Sequence, residues 1–403
     1  MDGKDRIILH VDMNAFFASV ETLSHPEAAD VPMAVAGDPE NRRGIILAKN
    51  ELAKKAGVKT AETIWSAQQK CPGLLLLPPH MEQYVEYCER ANAIYGRFTD
   101  MVERAGIDES YLDVTGSTTL FGDGAAIADA IRSAVKTELK LTVSVGVSFC
   151  KVFAKMGSDL RKPDFTNVID RANYRRTLHP LPVTDLMFVG KATAQALAGM
   201  HVRTIGQLAA LGEDVLARKF GKHGHVLYRY AQGLDDEPVR RAEEAEDAKS
   251  IGNSLTFRRD LVSEADITLG LRTLSESVAY RLRKHGKKCA GVQIAIKDPT
   301  FRTIDRQMSL HQPTHLTKDI FDAAHALVMR AWRVGVPIRL LSVTAIQLLD
   351  EDEGVQMSLF GQNGSDGKQE ALEQMKDNLR RMYGKSIILP ASTLGNDLGI
   401  KEP

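Results

Sequence analysis

Short apolar runs alternate with amphipathic stretches over the first 170 residues, as expected for a mixed domain of sheet and helix. The run RIILHVD predicts a buried strand that ends at Asp12, and the following NAFFASVETL has the apolar spacing of a helix. The same succession returns in TVSVGVSF and in CKVFAKMGSDLRK, which Pro163 terminates. Residues 31–77 add short strands, PMAVAG and GIILA, and a helix, ELAKKAG, as a small inserted unit. This pattern predicts an α+β sheet domain.

The second half of the chain has a different pattern. Residues 181–233 contain helical repeats separated by Gly190 and by HVRTIGQL, which predicts a small all-helical unit. The charged stretch GLDDEPVRRAEEAEDAKS has few large apolar residues and is typical of a linker. Beyond it the predicted order is strand, helix, strand, strand, helix, strand, the split β-α-β-β-α-β motif. An acidic DEDEG, a short QMSLF and a helix-like QEALEQMKDNLRRMYG follow.

Composition limits the class of protein. With 403 residues, 43% of them hydrophobic and 26% charged, we expect a soluble protein of two to four domains. The four cysteines are scattered and form no CxxC pair, so neither a disulfide framework nor a zinc site is indicated, and a reducing cytoplasm is expected. We find no export signal and no apolar run approaching the ~18 residues of a membrane span.

Charge is distributed unevenly along the chain. The 52 basic and 52 acidic residues cancel, which by itself argues mildly against a nucleic-acid partner. Residues 249–349, however, contain 16 Lys and Arg but only 8 Asp and Glu. We therefore expect this unit to supply the basic surface of the molecule.

Three carboxylates are candidates for a metal site. Asp12 ends a predicted strand, and Asp108 and Glu109 are adjacent within AGIDESYLDVTG. Oxygen-rich sites of this kind suit Mg²⁺. Because adjacent residues of an ideal strand point to opposite faces, a hairpin just before Ile107 is needed to bring both carboxylates to one site. The alternative is a solvated acid pair on a hairpin.

Three motifs, in order and in spacing, resemble the palm motifs of the Y-family translesion DNA polymerases, in particular the bacterial DNA polymerase IV branch. They are HVDMNAFFASVE, GIDESYLDVTGS and SVGVSFCKVFAKMGSDLRKP. The likeness extends over residues 6–360 and includes the helical thumb, the split-motif "little finger" and QMSLF, which is similar to the family's sliding-clamp pentapeptide. The resemblance implies a right-hand polymerase with a palm, small fingers, a helical thumb and a little finger.

The resemblance also implies the domain boundaries. The palm is expected at 1–22 and 78–170, the fingers at 23–77, the thumb with a helix-hairpin-helix at 171–235, and a linker at 236–249. The little finger is expected at 250–350, and a C-terminal tail at 351–403.

The metal site follows from the same resemblance. Asp12, Asp108 and Glu109 are expected to bind two Mg²⁺ ions, with the carbonyl of Met13 adding an oxygen. One ion would lower the pKa of the primer 3′-hydroxyl, and the other would hold the triphosphate and stabilise the leaving pyrophosphate. Asn14 replaces a second Asp of some relatives, a departure that we expect to be harmless.

The same likeness assigns nucleotide contacts. The backbone N–H groups of Phe16 and Phe17 would meet phosphate oxygens, and Phe17 would be the steric gate against a 2′-hydroxyl. Simple core packing of both rings is the alternative. Lys162 would reach the β- and γ-phosphates as a point charge.

The fingers helix departs from the family's pattern. Where many relatives have Asn-Tyr-x-x-Arg, this chain has Asn50-Glu51-Leu52-Ala53-Lys54. Lys54 would contact the triphosphate without a bidentate clamp, and we expect Glu51 to pair with Lys54 or Lys55. The alternative is that the helix faces solvent and Arg42 or Arg43 supplies the phosphate contact.

Further residues are candidates for binding macromolecules. Lys151 and Lys155 would either bind DNA or form a solvated helix face. In the thumb, LMFVGKATAQAL resembles a helix-hairpin-helix that binds phosphates through the backbone at Gly190, although Phe188 replaces its usual first glycine. Arg302 and Arg306 are candidate DNA contacts of the little finger. The clamp motif comprises Gln356, Met357, Ser358, Leu359 and Phe360; a short strand or packing segment is the alternative.

The predicted function is template-directed DNA synthesis of low fidelity across damaged templates, without proofreading. Primer-template DNA, dNTP and the sliding clamp, the β subunit of the replicase, are the expected partners of a monomer that has no membrane association. Two other classes of protein agree less well with the sequence. A palm-type nucleotidyl cyclase or nuclease would not explain the basic unit or QMSLF, and an inactive clamp-binding scaffold should have lost at least one of the three carboxylates.

Overall fold

A computed structural model describes residues 5–38, 40, 42, 44–241, 244, 247–351, 366–384, 387–388 and 391–400. The chain forms two compact units, residues 1–37 with 45–245 and residues 38–44 with 246–403. The helices and strands of the first unit are β1 Ile8–Met13, α1 Phe16–Ser24, β2 Met33–Ala36, β3 Ile46–Lys49, α2 Glu51–Lys55, α3 Ile64–Lys70, β4 Leu75–Leu77, α4 Met81–Tyr95, β5 Val102–Arg104, β6 Glu109–Asp113, α5 Thr118–Phe121, α6 Gly124–Leu139, β7 Val143–Ser148, α7 Lys151–Leu160, β8 Thr166–Ile169, α8 Tyr174–Leu178, α9 Lys191–Ala198, α10 Ile205–Ala210, α11 Glu213–Phe220 and α12 Lys222–Ala231.

The main sheet of this unit has the strand order β5-β6-β1-β7-β8. The central strand β1 is buried along its whole length and pairs antiparallel with β6 and β7. Its alternate residues Leu9 and Val11 belong to the core that includes α4 and α6, while Ile8 belongs to a cluster with Ala154 of α7. Because side chains alternate along a strand, Asp12 lies on the same side as Ile8.

Helix α7 lies directly against the backbone of β7. A Cβ atom on Gly146 would be only 1.9 Å from the carbonyl oxygen of Ala154 and 2.5 Å from the backbone nitrogen of Ser158. No side chain fits between the two elements at this point. The position of α7 relative to the sheet therefore depends on this glycine.

A smaller sheet, of order β3-β2-β4, carries α2 and α3 over its own apolar core. Asn50 begins α2 by accepting a hydrogen bond from the backbone N–H of Ala53 at 2.9 Å. Its side chain also accepts from the backbone N–H of Met33 at 3.1 Å, which joins the helix to strand β2. The predicted inserted unit thus has strands and helices of its own.

Helices α8 to α12 share one core with aromatic residues at the start of α7, among them Phe149 and Phe153. The chain that follows α12 leads into the linker predicted for residues 236–249. Val239 is buried, the backbone N–H of Arg240 donates to Glu103, and Arg6 donates to the carbonyl oxygens of Asp235 and Glu237. The beginning of the predicted linker is therefore attached to the first unit by specific bonds that its charged composition did not reveal.

The second unit contains β9 Ser250–Leu261, α13 Glu264–Lys284, β10 Lys287–Lys297, β11 Thr303–Thr314, α14 Thr317–Ala331, β12 Ile338–Asp350 and α15 Asp366–Tyr383. Its sheet has the order β11-β10-β12-β9, and α13 and α14 cover one face over a single core. The split motif predicted from the sequence is confirmed.

The C-terminal segment packs onto the same unit. On α15, Glu373 and Asp377 pair with the buried guanidinium of Arg283 at 3.2 and 2.7 Å. Leu398 is buried in the core of the unit, and its carbonyl oxygen accepts from the backbone N–H of Arg258 at 2.8 Å. The helix predicted within residues 369–384 is present. The clamp motif at residues 356–360 lies outside the described residues.

Candidate active site

The predicted metal-binding carboxylates lie at one end of the main sheet. Asp12 is paired in register with Glu109 on one side and with Ser144 on the other. The backbone N–H of Met13, the last residue of β1, donates to the carbonyl oxygen of Asp108 at 3.0 Å. Strands β5 and β6 form the hairpin predicted before Ile107, with the backbone N–H of residue 105 donating to the Glu109 carbonyl. The fold thus brings together residues separated by 96 positions in the sequence.

Two lysines of the third motif neutralise these carboxylates. Lys162 Nζ lies 2.8 Å from Asp12 Oδ2, and Lys155 Nζ lies 3.5 Å from the same oxygen while also bonding to Glu109. Asp159, one turn from each lysine, completes the cluster at 2.8 Å from Lys162 and 3.6 Å from Lys155. The site is therefore a compact group of alternating charges.

Burial and charge perturb the carboxylates in different directions. Burial raises the pKa of Asp12 to about 6, against the opposing effect of Lys162. Burial and the neighbouring Glu109 raise the pKa of Asp108. His10 and Lys155 hold the pKa of Glu109 well below its usual range. Lys162 and Lys155 thus favour the ionised forms of these carboxylates, while burial opposes the ionisation of Asp12 and Asp108.

The oxygen atoms present suit a hard divalent cation, but the carboxylates of Asp12 and Glu109 lie against the ammonium groups of Lys155 and Lys162. Among the residues that the structure describes, no three His, Cys, Asp or Glu side chains are grouped closely enough to hold a metal ion. The ammonium groups of Lys155 and Lys162 instead supply the positive charge. Three carboxylate oxygens on neighbouring strand ends, together with the Met13 carbonyl, are ligands that Mg²⁺ prefers.

His10 belongs to this site and was not identified from the sequence. It is fully buried, with Nδ1 2.8 Å from Ser158 Oγ and Nε2 3.6 Å from Glu109 Oε2. Burial lowers the pKa of its imidazole, and Tyr111 packs edge-on against the ring. Its position in the sequence was the available signal, because His10 precedes Asp12 by two residues and both therefore point to the same face of the strand.

Asn14 also has a larger role than the sequence suggested. Its Nδ2 donates to Ser144 Oγ at 2.9 Å, and its Oδ1 accepts from the backbone N–H of Asp164 at 2.8 Å. Asp164 is held on its other side by the guanidinium of Arg132 at 2.8 Å. Asn14 therefore fixes the turn that begins at Lys162.

The two phenylalanines begin α1 as predicted, but their environments differ. Phe16 is 3% exposed and belongs to the main core. Phe17 is half-buried and stacks on Tyr84, with ring centroids 4.1 Å apart and planes at 10°. The Tyr84 hydroxyl bonds to the buried carboxylate of Glu21, which also contacts His80 Nδ1 at 2.9 Å. The sequence pattern gave no signal for this support behind Phe17.

In the fingers, Lys54 Nζ contacts Glu51 Oε1 at 3.1 Å, which confirms the predicted pairing. Both side chains remain about half exposed, at 54% and 44%. The alternative phosphate contact, Arg42, pairs with Asp260 within the second unit. Arg43 lies outside the described residues.

Lys151 requires a correction. The sequence suggested a DNA contact or a solvated face, but Lys151 is 5% exposed, and its Nζ lies 2.8 Å from Glu103 and 3.2 Å from Glu237. Its charge is satisfied inside the protein, so neither interpretation holds. Lys155, predicted beside it, lies among the carboxylates at the strand ends.

The remaining candidates lie on the surface. Gly190 is the exposed N-cap residue of α9, with Phe188 two residues before it. Arg302 and Arg306 are exposed at the start of β11, the edge strand of its sheet. Arg306 is two residues after Ile304, which packs against the core. Because residues two apart on a strand point to the same face, Arg306 lies toward the face that the helices cover.

Comparisons with known proteins agree with this architecture. Residues 11–159 match the impB/mucB/samB family, residues 248–359 match that family's C-terminal domain, and residues 184–235 match the thumb domain described for DNA polymerase iota. DNA polymerase IV of Acetivibrio thermocellus is 45% identical over 94% of this chain and 95% of its own length. DNA polymerase IV 1 of Bacillus subtilis is 36% identical over 98% of this chain and 94% of its own.

The chain belongs to the Y-family of DNA polymerases, in the DNA polymerase IV group. A solved chimera of the Y-family polymerases Dbh and Dpo4 shares the fold, with a TM-score of 0.75 at 22% identity over 85% of this chain and 99% of that one. The α+β right-hand architecture predicted from the sequence is thus confirmed. Members of this family depend on divalent metal and act on primer-template DNA and dNTP. Within the described ranges, none of the helices has the length and apolar content needed to cross a bilayer.

Proposed function

We propose that this chain, a DNA-directed DNA polymerase of the translesion class by its family, performs nucleotidyl transfer at the carboxylate and lysine cluster. The observation that carries this proposal is the register of Asp12 against Glu109, with the Asp108 backbone alongside and two lysines facing them. Carboxylates at adjacent strand ends can bind cations, and the two lysines can bind phosphate.

We assign metal binding to Asp12, Asp108 and Glu109, with the Met13 carbonyl, and propose two Mg²⁺ ions. When bound, these ions supply charge that acidifies the primer 3′-hydroxyl and stabilises the leaving pyrophosphate. His10 contacts Glu109 from the buried side and limits how far this carboxylate can turn.

Lys162 is the proposed contact of the β- and γ-phosphates. Its ammonium rests on Asp12 and Asp159, both 2.8 Å away, so a triphosphate would exchange these carboxylates for phosphate oxygens. Such an exchange replaces one charge-assisted contact by another and keeps the lysine neutralised. Lys54 is a second proposed phosphate contact, released from Glu51 when nucleotide arrives, and the backbone N–H groups of Phe16 and Phe17 are others.

Phe17 is the proposed steric gate. Its ring is held by stacking on Tyr84 and remains partly exposed, so it can limit space at the sugar. The small fingers would enclose the nascent base pair loosely, which accounts for low fidelity and lesion tolerance. We also propose that synthesis proceeds without proofreading.

The DNA and protein partners are also proposals. The backbone at Gly190 and the basic stretch 249–349, including Arg302 and Arg306, would hold DNA phosphates without reading sequence. Residues 356–360 would dock into the sliding clamp, with the polymerase acting as a monomer. A cytoplasmic location remains a prediction of the sequence.

The test is Asp108→Ala in a primer-extension assay with Mg²⁺. We expect extension to be lost while affinity for primer-template stays within about threefold, because a metal ligand and not a DNA contact is removed. The matched control is Glu138→Gln, an exposed carboxylate that pairs with Arg97 and is not part of the cluster, and it should retain activity. Substantial extension by Asp108→Ala would contradict the assignment.

A further inference from the structure

The hairpin that precedes α9 contains an aromatic residue in an unfavourable backbone conformation. Phe188 has a φ of 66°, in the left-handed region that favours glycine. Its side chain is 61% exposed, whereas the following Val189 is only 8% exposed. A bulky side chain at positive φ is uncommon and raises the free energy of the folded chain.

The free protein gains little from this ring in return. Glycine would adopt the same backbone conformation without a steric penalty. Because most of the Phe188 side chain remains in water, its burial offsets only part of the backbone strain. The benefit of an aromatic side chain at this position is therefore expected in a complex.

The ring is nevertheless held in place. Tyr230 of α12 lies beside it, with centroids 5.9 Å apart and planes at 34°. This contact supports one side of the Phe188 ring and leaves the other toward solvent. A supported aromatic ring loses little conformational entropy on binding, as a contact residue should.

The neighbouring groups point to the kind of partner. Gly190 caps α9 without a side-chain hydrogen bond, and the exposed Lys191 is the first residue of that helix. Phe188 therefore comes two residues before the N-cap of a helix and three before an exposed ammonium group, both of which favour phosphate. A duplex backbone alternates phosphates with sugars whose carbon faces are apolar, and it matches this combination.

We propose that Phe188 is a DNA-contact residue whose ring packs on deoxyribose of the primer-template duplex, next to the phosphate bound at Gly190 and Lys191. This inference rests on the proposed role of the thumb in holding DNA. It adds an apolar contact that is independent of DNA sequence.

The experiment measures primer-template affinity by fluorescence anisotropy between 50 and 200 mM salt, together with thermal unfolding. Phe188→Gly relieves the backbone strain and removes the ring, so we expect unchanged or higher thermal stability but about fivefold weaker binding at every salt concentration. The salt dependence should keep its slope, because no phosphate contact is lost. Lys191→Ala should instead weaken binding and reduce the slope by about 1.

Two further variants make the result decisive. Phe188→Ala keeps a side chain at positive φ and should weaken binding as much as Phe188→Gly. His201→Gly, in the same helical unit and also exposed with a φ of 59°, should relieve strain without changing affinity.

Binding within twofold of the unsubstituted protein for both Phe188 variants would overturn the proposal, as would a slope reduced to that of Lys191→Ala. If Lys191→Ala also leaves affinity and slope unchanged, the proposed DNA contact of the thumb itself fails. If only Lys191→Ala has an effect, the thumb contact stands and the role of Phe188 does not.

Discussion

Asn14 joins two parts of the site that are 150 residues apart in the sequence, the end of β1 and the turn after Lys162. We predict that Asn14→Ala displaces Lys162 and raises the KM for dNTP about tenfold, with a smaller effect on kcat, the pattern of lost uniform binding. Asn14→Asp should preserve function, because its carboxylate can accept from both Asp164 N–H and the Ser144 hydroxyl.

A double-mutant cycle separates this role from general destabilisation. If Asn14 acts through Lys162, adding Asn14→Ala to Lys162→Ala should raise the KM for dNTP little further. Steady-state incorporation of one nucleotide on an undamaged template provides the measurement. If each substitution raises the KM for dNTP by its own factor and the double variant shows the product of both, Asn14 does not position Lys162.

The steric-gate proposal for Phe17 makes a second prediction at this scale. Phe17→Ala should admit ribonucleotides while use of dNTP survives, since truncating the ring opens space beside the sugar. Tyr84→Phe is the control: it removes the hydroxyl bond to Glu21 but keeps the ring that stacks on Phe17, so discrimination should be retained. Unaltered preference for dNTP over rNTP in Phe17→Ala would leave Phe17 as a core residue only.

At the scale of elements, the start of α13 shows how a helix end is stabilised by charge. Ser263 Oγ accepts from the backbone N–H of Asp266, and Asp266 accepts from that of Ser263, forming a capping box. The guanidinium of Arg259, at 2.9 Å, then holds the pKa of Asp266 well below its usual range. A carboxyl group whose pKa is depressed by folding stabilises the protein above its unfolded pKa and loses that contribution as pH falls.

We therefore predict that Asp266→Asn destabilises the second unit by about 1 kcal/mol at pH 7, because the amide keeps an acceptor for the capping box but loses the charged contact with Arg259. The difference from the unsubstituted chain should shrink as pH falls below about 4. Urea unfolding at pH 7, 5 and 3.5 measures it. Glu264→Gln, an exposed change in the same helical turn, should lower the free energy of unfolding less. If the loss of stability in Asp266→Asn is the same at every pH, the ionic contribution is ruled out.

At the scale of the whole molecule, basic charge is concentrated in one stretch of the second unit. Residues 249–349 hold 16 basic and 8 acidic residues. Since residues as far as Arg240 bond to the first unit, a truncation that removes this stretch should follow Arg241. We predict that it weakens primer-template binding and flattens the salt dependence, because phosphate contacts are lost. Arg302→Ala with Arg306→Ala in the full chain should give an intermediate slope; an unchanged slope in the truncated chain would refute the prediction.

Periodicity was sufficient to predict the sheet and the split motif, because these depend on local pattern, whereas the carboxylate site was predicted only through the resemblance of the three motifs to a known family. The sequence pattern did not predict contacts that depend on packing between residues distant in the chain. Lys151 looks like a surface residue on its helix, yet Glu103 and Glu237 enclose it. The anchoring of Arg240 and the network behind Phe17 likewise depend on partners that no local pattern identifies.

The contact of Gly146 with α7 limits the substitutions that this protein can tolerate. Any β-carbon there must push away the backbone that carries Lys155, and with it the chain leading to Lys162. The position never touches nucleotide or primer, yet even alanine, the smallest replacement, would disturb the charges that face them. In a saturation library selected for synthesis, Gly146 should therefore be as intolerant as Asp12, so that an essential position of this polymerase is one with no side chain at all.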